Sequence, residues 1–275
     1  MEKTILITGC SSGIGYYVAK QLQQRGYRVF ATARKIADVE KLKTEGLESL
    51  QLDLADSASI QAAVKAMLKL TDGKLDALFN NGAYGQPGAV EDLSRTVLRE
   101  QFETNLFGWM ELTNAVIPIM RKQGQGRIIH NSSILGFMSM PYRGAYNASK
   151  HALEGLADTQ RLELHGSGIF ISLIQPGPIR SRFRENGRMM FLHNIAWEQS
   201  FYREKYQSVL ARLEKEGNAS KFTQSPDAVY QRVIHALENP RPQIRYYVTF
   251  PTYLFATLRR ILPYRWMDWV IRHIP

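Results

Sequence analysis

A tyrosine and a lysine stand four residues apart in Tyr146-Asn147-Ala148-Ser149-Lys150. On a helix that spacing places both side chains on one face, one turn from each other. A phenol alone titrates near ~10 and exchanges protons poorly at neutral pH. A nearby ammonium favours the phenolate and pulls that value down. Tyr146 is thus placed to trade a proton with a substrate oxygen while Lys150 supplies the field. The pair alone says little, because Tyr and Lys share many solvated helix faces. It gains meaning from a dinucleotide loop and a polarising hydroxyl elsewhere in the chain, and both are present.

The loop comes first. Residues 4–8 form a short apolar run, followed at once by Gly9-Cys10-Ser11-Ser12-Gly13-Ile14-Gly15 and a helical pattern through Val18 and Leu22 to Arg25, stopped by Gly26. In this strand, glycine loop and helix, the glycines let backbone approach a pyrophosphate. The helix N-terminus offers free N–H groups and the positive end of a dipole. A generic glycine turn is the alternative, but its placement between strand and helix at the start of an α/β chain argues against it. Residues 27–32 read as a second strand, followed by Ala33-Arg34-Lys35, with no acid until Asp38. An acid near here would bond the ribose 2′-OH of NAD, whereas an arginine accommodates the 2′-phosphate of NADP. A bidentate guanidinium suits that doubly charged group, so Arg34 points to NADP; a plain surface charge is the alternative. Asp53, after a third strand at 47–52, is placed to meet an adenine edge.

These residues must be positioned by a scaffold. Further strands are expected at 75–79, ending in Asn80-Asn81-Gly82-Ala83; at 127–129, leading into His130-Asn131-Ser132-Ser133; at 169–174, ending in Gln175-Pro176-Gly177-Pro178-Ile179; and at 246–249. Helical patterns fill the spaces: 36–45, 58–70 capped by Ser57, 93–120, 143–165 and 227–238. Pro118 should end or kink the 93–120 helix. Asn105 lies inside it, as a local hydrogen-bonding device or a tolerated surface residue, and His130 reads as a strand residue with a satisfied ring. Alternation of strands and helices predicts an α/β fold: a doubly wound, Rossmann-type parallel sheet with helices on both faces and a C-terminal helical extension. Residues 1–275 form one domain, with a substrate cover at 182–225 and an amphipathic tail at 252–275 that breaks at Pro263.

Composition narrows the function. The chain has 275 residues, 44% of them hydrophobic, enough for one large core. Its single cysteine, Cys10, excludes an internal disulfide. Residues 1–3 leave no room for a signal peptide before the first strand, and no apolar run is long enough to span a membrane, so a cytoplasmic protein is expected. Net charge is +10, of which residues 176–275 carry +8. That excess sits among aromatic and apolar residues. It suits a solvated surface, an anionic ligand or an acidic membrane surface better than nucleic acid, for which no motif exists. The tail repeats apolar residues at helical spacing (Leu254, Phe255, Leu258, Ile261, Leu262, then Trp266, Trp269, Val270) and must bury that stripe. Docking on its own domain or a homo-oligomeric partner is expected, with peripheral membrane contact as the alternative.

Together, Thr8-Gly9-x-x-x-Gly13-x-Gly15, Asp53, Asn80-Asn81-Gly82-Ala83, Asn105, Ser133, Tyr146-x-x-x-Lys150 and Pro176-Gly177 resemble the short-chain dehydrogenase/reductase family over nearly the whole chain. The family usually reads Asn-Asn-Ala-Gly where this chain has Asn-Asn-Gly-Ala. Within the family the chain is most similar to hydroxysteroid- and retinol-dehydrogenase-like members and to bacterial NADP-dependent aldehyde reductases. The resemblance implies a nicotinamide resting against Ile179, with Ser181 at the carboxamide where a threonine often stands. NADP is held by Gly9, Ser11, Ser12, Gly13, Ile14, Gly15, Arg34, Asp53, Asn81, Tyr146, Lys150, Pro176, Gly177, Ile179 and Ser181. It also implies catalysis by Asn105, Ser133, Tyr146 and Lys150, with no metal. The leading reading is NADPH-dependent reduction of an apolar aldehyde or ketone. Oxidation of a steroid- or retinoid-type alcohol is the alternative, and a cofactor-binding sensor the non-enzyme one, which an intact Ser133, Tyr146 and Lys150 oppose.

Overall fold

The computed structural model describes residues 2–214, 217–218 and 220–273. Positions 215, 216 and 219 of the expected cover, and 274 and 275 of the tail, lie outside the described residues.

Seven strands form one parallel sheet in the order β3-β2-β1-β4-β5-β6-β7: β1 Thr4–Ile7, β2 Arg28–Ala33, β3 Glu48–Gln51, β4 Ala77–Asn80, β5 Gly126–Asn131, β6 Ile169–Gln175 and β7 Arg245–Tyr247. The central strands read as continuous apolar runs because helices cover both faces. All four residues of β1 are buried, as are all four of β4. On one face lie α1 Gly13–Gln24, α2 Ile36–Thr44 and α9 Asp227–Glu238, which contribute Val18, Leu22, Val39, Leu42 and Val233 to the core. On the other lie α3 Ser57–Leu70, α5 Gly108–Gln123 and α6 Gly144–Glu163, which contribute Ile60, Met67, Trp109, Leu112 and Leu153. The strand order reverses beside β1, where β2 and β4 flank it on either side. The crevice beyond the carboxyl ends of strands at such a reversal is where open α/β sheets bind ligands.

Three expectations are corrected. Asp56, not Ser57, caps α3: its carboxylate accepts the Ala58 N–H, a stronger acceptor for an orphan donor than a hydroxyl. The expected 93–120 helix is α4 Arg95–Phe102, a widened π turn at Glu103–Phe107, and then α5. Pro118 does not end α5, which runs on to Gln123 and stops at Gly124, φ 71°. Buried Val116 and Met120 hold the helix to the sheet on both sides of the proline.

The cover consists of α7 Phe183–Asn194 and α8 Arg203–Glu214. Phe191, Ile195, Tyr206 and Val209 pack on Ala89, Leu93, Val97 and Ala145. The Tyr206 hydroxyl donates to Asp92 and accepts the Ala89 N–H at 2.8 Å. The tail forms α10 Phe250–Ile261 and α11 Tyr264–Arg272, and Pro263 separates them. Phe255 and Met267, with Leu258, Leu262 and Val270, bury against Leu135 and Met138. Part of the apolar stripe, Phe255, Leu258, Leu262 and Val270, therefore packs on its own domain, while Leu254 and Ile261 stay exposed. Trp266 and Trp269 face outward, 64% and 59% exposed. Among the described residues, no helix is long and apolar enough to cross a membrane.

Candidate active site

The glycine loop is built against β4. Thr8, fully buried, accepts the backbone N–H of Asn81 at 2.8 Å and of Gly82 at 2.9 Å on one hydroxyl. The Asn81 amide donates back to the Thr8 carbonyl at 3.0 Å and accepts from Asn131 Nδ2 at 2.9 Å. These bonds leave no room for side chains. A Cβ on Gly9 would stand 2.5 Å from Gly82 Cα, and Gly9 holds φ +71°. A Cβ on Gly15 would stand 2.6 Å from Asn81 Nδ2. The exchange of glycine and alanine at residues 82 and 83 leaves this cradle closed, with Trp109 Nε1 donating to the Gly82 carbonyl at 2.7 Å.

The cradle fits a dinucleotide. Ser12, the N-cap residue of α1, makes no side-chain cap bond, and the first turn holds no acid. The first N–H groups of the helix thus keep their capacity for an anion. Arg34 is exposed at the end of β2. Asp53 lies two residues past the end of β3, and its carboxylate accepts the Ala55 N–H at 3.0 Å. Ser181 lies over the loop, 3.1 Å from where a Cβ on Gly13 would stand. Its hydroxyl donates to the Ile179 carbonyl at 3.4 Å. The Pro176 carbonyl accepts the Ile134 N–H at 2.9 Å, which ties the Pro176-Gly177 turn to the loop after Ser133.

On the facing side, α6 presents Tyr146 and Lys150. Ser133, the last residue before a 3₁₀ turn at Ile134–Gly136, accepts the Leu135 N–H on its hydroxyl at 3.1 Å and lies beside Tyr146. Burial pushes the Tyr146 phenol up to about 12, while the Ser133 hydroxyl and the Arg143 charge pull it down. Lys150 is 1% exposed. Its ammonium donates to the Asn131 carbonyl at 2.9 Å and lies 4.1 Å from the centre of the Trp109 ring. Burial brings it down to about 7, and the Glu154 carboxylate opposes that shift. The expectation that Lys150 depresses the phenol is corrected: its nitrogen is 5.7 Å from the Tyr146 ring centre, and desolvation is the larger effect on both groups.

Asn105 is the hydrogen-bonding device, not a surface residue. It is fully buried in the π turn, donates to the Tyr84 carbonyl at 2.8 Å and Ser149 Oγ at 3.3 Å, and accepts the Tyr84 N–H at 3.2 Å. The extra residue of a π turn turns this amide inward, as such bulges do at functional sites. His130 is a buried strand residue whose ring is only half satisfied: Nδ1 meets Asn80 Nδ2 at 3.2 Å, and Nε2 has no partner among the described residues. Burial lowers it to about 3, so it stays neutral.

Three residues escaped the sequence reading. Trp109 stacks on His130 with 6.0 Å between ring centres and supports Lys150. Asn131 links Lys150 to Asn81. Phe183, the first residue of α7, meets Tyr146 edge-on at 5.2 Å and crosses to Gly85, where a Cβ would stand 2.6 Å from its ring. A helical count from Asn105 would have placed Trp109 on the same face; Phe183 carries no comparable signal.

A tyrosine, serine and buried lysine beside a glycine cradle define a dinucleotide-dependent oxidoreductase site. The chain belongs to the short-chain dehydrogenase family, whose model, short chain dehydrogenase, matches residues 3–190. It is 41% identical over 272 residues to the uncharacterized oxidoreductase YbbO of Escherichia coli (strain K12), with 99% of this chain and 95% of that one covered. It is 33% identical to a 3-ketodihydrosphingosine reductase of Bacteroides thetaiotaomicron (98% and 96% covered) and 32% identical to human retinol dehydrogenase 8 (88% and 80%). A solved short-chain dehydrogenase from Streptomyces avermitilis matches with a TM-score of 0.79 at 28% identity, covering 94% of this chain and 92% of that one. The chain is accordingly an oxidoreductase of CH–OH or C=O groups that works with a nicotinamide dinucleotide.

Proposed function

We propose that this protein reduces apolar aldehydes or ketones with NADPH. The observation that carries the proposal is the Ser133 hydroxyl beside the Tyr146 phenol, on the same helix as the buried Lys150. A protonated phenol beside a hydroxyl donor suits an oxygen that is gaining negative charge. Bound NADPH supplies the hydride. Ser133 then donates a hydrogen bond to the carbonyl oxygen, and Tyr146 gives it a proton as charge develops there. Lys150, pinned on the Asn131 carbonyl, holds the nicotinamide ribose and supplies positive charge. Asn105 fixes the loop at Tyr84 and the Ser149 hydroxyl behind that lysine.

The free amides at the α1 N-terminus receive the pyrophosphate, Asp53 the adenine, and Ile179 and Ser181 the nicotinamide. Arg34, with no acid beside it until Asp38, favours the 2′-phosphate of NADPH over NADH. Phe183 at the mouth supplies an apolar wall for the substrate. The similarity to a 3-ketodihydrosphingosine reductase supports the same direction.

The test is a screen of NADPH oxidation against aldehydes, ketones, steroids and retinoids with wild type and Tyr146→Phe. Turnover in the variant should fall by ~100-fold or more while NADPH binding is kept. Near-normal turnover in the variant would overturn the mechanism.

A further inference from the structure

The tail has an outward face that its own domain leaves uncovered. Thr252, Phe255 and Ala256 point α10 inward and are buried. Phe250, Leu254 and Ile261 recur at helical spacing on the opposite side, and all three are exposed. Leu258 and Leu262 beside Pro263, and Met267 and Val270 of α11, pack in one cluster with Leu135 and Met138. The two helices thus rest on a common floor, and their outer faces look away from it together. To that outer face α11 adds Trp266 and Trp269. The surface also reaches past the tail: Phe250 stacks on Phe222, at the end of the cover, with 5.3 Å between ring centres. Single exposed apolar side chains are ordinary, but a row continuous over two helices marks a contact surface.

Positive charge borders this row. Residues 250–275 hold four arginines, at 259, 260, 265 and 272, against one acid, Asp268. All four arginines are exposed. At the other edge, the Lys221 ammonium lies 5.2 Å from the centre of the Phe222 ring, and Arg232 donates to the Tyr253 hydroxyl at 3.4 Å. A second copy meeting this face across a two-fold axis would set the same arginines against one another. A nucleic-acid backbone would answer the charge but bury none of the apolar row. An anionic bilayer surface answers both. Its acyl boundary takes the aliphatic and phenyl groups, tryptophan rings suit the headgroup level, and the arginines meet lipid phosphates.

We propose that the outward face of α10 and α11 binds the surface of an anionic lipid bilayer. The helices, of 12 and 9 residues, are too short to span it and lie in its plane. The cluster beneath the tail also includes Tyr146, so the contact is made beside the wall that carries the reactive phenol. It exists whichever way the reaction at that phenol runs.

Flotation of the full chain with vesicles of phosphatidylcholine, alone or mixed equally with phosphatidylglycerol, tests it. Wild type should bind the mixed vesicles about tenfold more tightly than the pure ones, and added salt should narrow the gap. The triple variant Arg259→Gln, Arg260→Gln, Arg265→Gln should close the gap, and the corresponding lysine variant should keep it. Trp266→Ala combined with Trp269→Ala should weaken binding to both kinds of vesicle, with a melting curve like that of wild type. Brominated acyl chains should quench the tryptophan fluorescence of wild type on mixed vesicles more than that of this double variant. Wild type that stays behind in the dense fraction, or flotation that survives both the glutamine and the alanine variants, would overturn the proposal. So would a dimer in sedimentation that Ile261→Glu breaks apart while wild type ignores vesicles, because the face then belongs to a second copy.

Discussion

The sheet with its glycine cradle and the C-terminal third place their important groups by different means. In the cradle the polar side chains are tied to one another and to the backbone. Thr8 serves two backbone amides, Asn81 serves Thr8 and Asn131, and Lys150 closes on Asn131, so each group is fixed before any ligand arrives. In the cover and tail, apolar contact does most of the holding, and large side chains stay in water: Phe183, Phe201, Ile261, Tyr264, Trp266 and Trp269 are all exposed. The first region is a tightly bonded frame that tolerates little. The second is a set of helices leaned against that frame, free to vary with the substrate. Site precision comes from the frame and selectivity from what leans on it.

Breaking the frame should have the largest effect. Gly15→Ala forces a methyl into the Asn81 amide, and overpacking of this kind costs about 3 kcal/mol at the upper end of its usual range. Urea unfolding should show that loss together with weakened cofactor binding. Met267→Ala removes one of the tail's buried side chains and should cost about 2 kcal/mol, the low end for buried Met, measured the same way. A loss at Met267 equal to or greater than that at Gly15 would erase the contrast between the regions.

Two charge experiments sharpen it. Lys150 is lowered from its ordinary 10.5 to about 7 in the folded chain. Between those values the unfolded chain holds a proton that the folded one has lost. Stability should therefore rise with pH from about 7 towards 10.5 and fall as pH drops through 7, with a slope of at most about 1.4 kcal/mol per pH unit from this group. Thermal melts across that window should show the rise, and Lys150→Met should flatten it. Arg34→Asp should weaken NADPH by about tenfold, ~1.4 kcal/mol, and relatively improve NADH; equal use of both cofactors by wild type would remove Arg34 from the 2′-phosphate. Trp269→Ala, on the exposed face of α11, should change unfolding by less than about 0.5 kcal/mol.

The frame was legible because its physics is local. Strand-to-glycine-to-helix order, the Tyr-x-x-x-Lys spacing and the apolar runs each follow from neighbours in sequence, and the parallel sheet followed from their alternation. What could not be read depended on distant partners. Asn105 had two meanings until a π turn and the Tyr84 backbone chose one. The Tyr146 phenol is raised rather than lowered because spacing shows proximity on a helix but not how much water either group has lost. Pro118 failed as a stop because its neighbours on the helix were anchored to a sheet the sequence does not display. The contact of Phe183 with Tyr146 was invisible for the same reason: it joins elements tens of residues apart.

Cys10 lies inside the cradle, fully buried, with its thiol donating to the Ile7 carbonyl at 3.3 Å and its backbone N–H to the Thr32 carbonyl at 2.8 Å. Burial raises that thiol to about 12, so hardly any thiolate exists at neutral pH and oxidants or alkylating agents find nothing to attack while the loop is closed. The chain thereby carries its own clock. Since it holds a single sulfhydryl, the rate at which that group is alkylated counts the openings of the nucleotide loop, and a tightly seated dinucleotide would stop it.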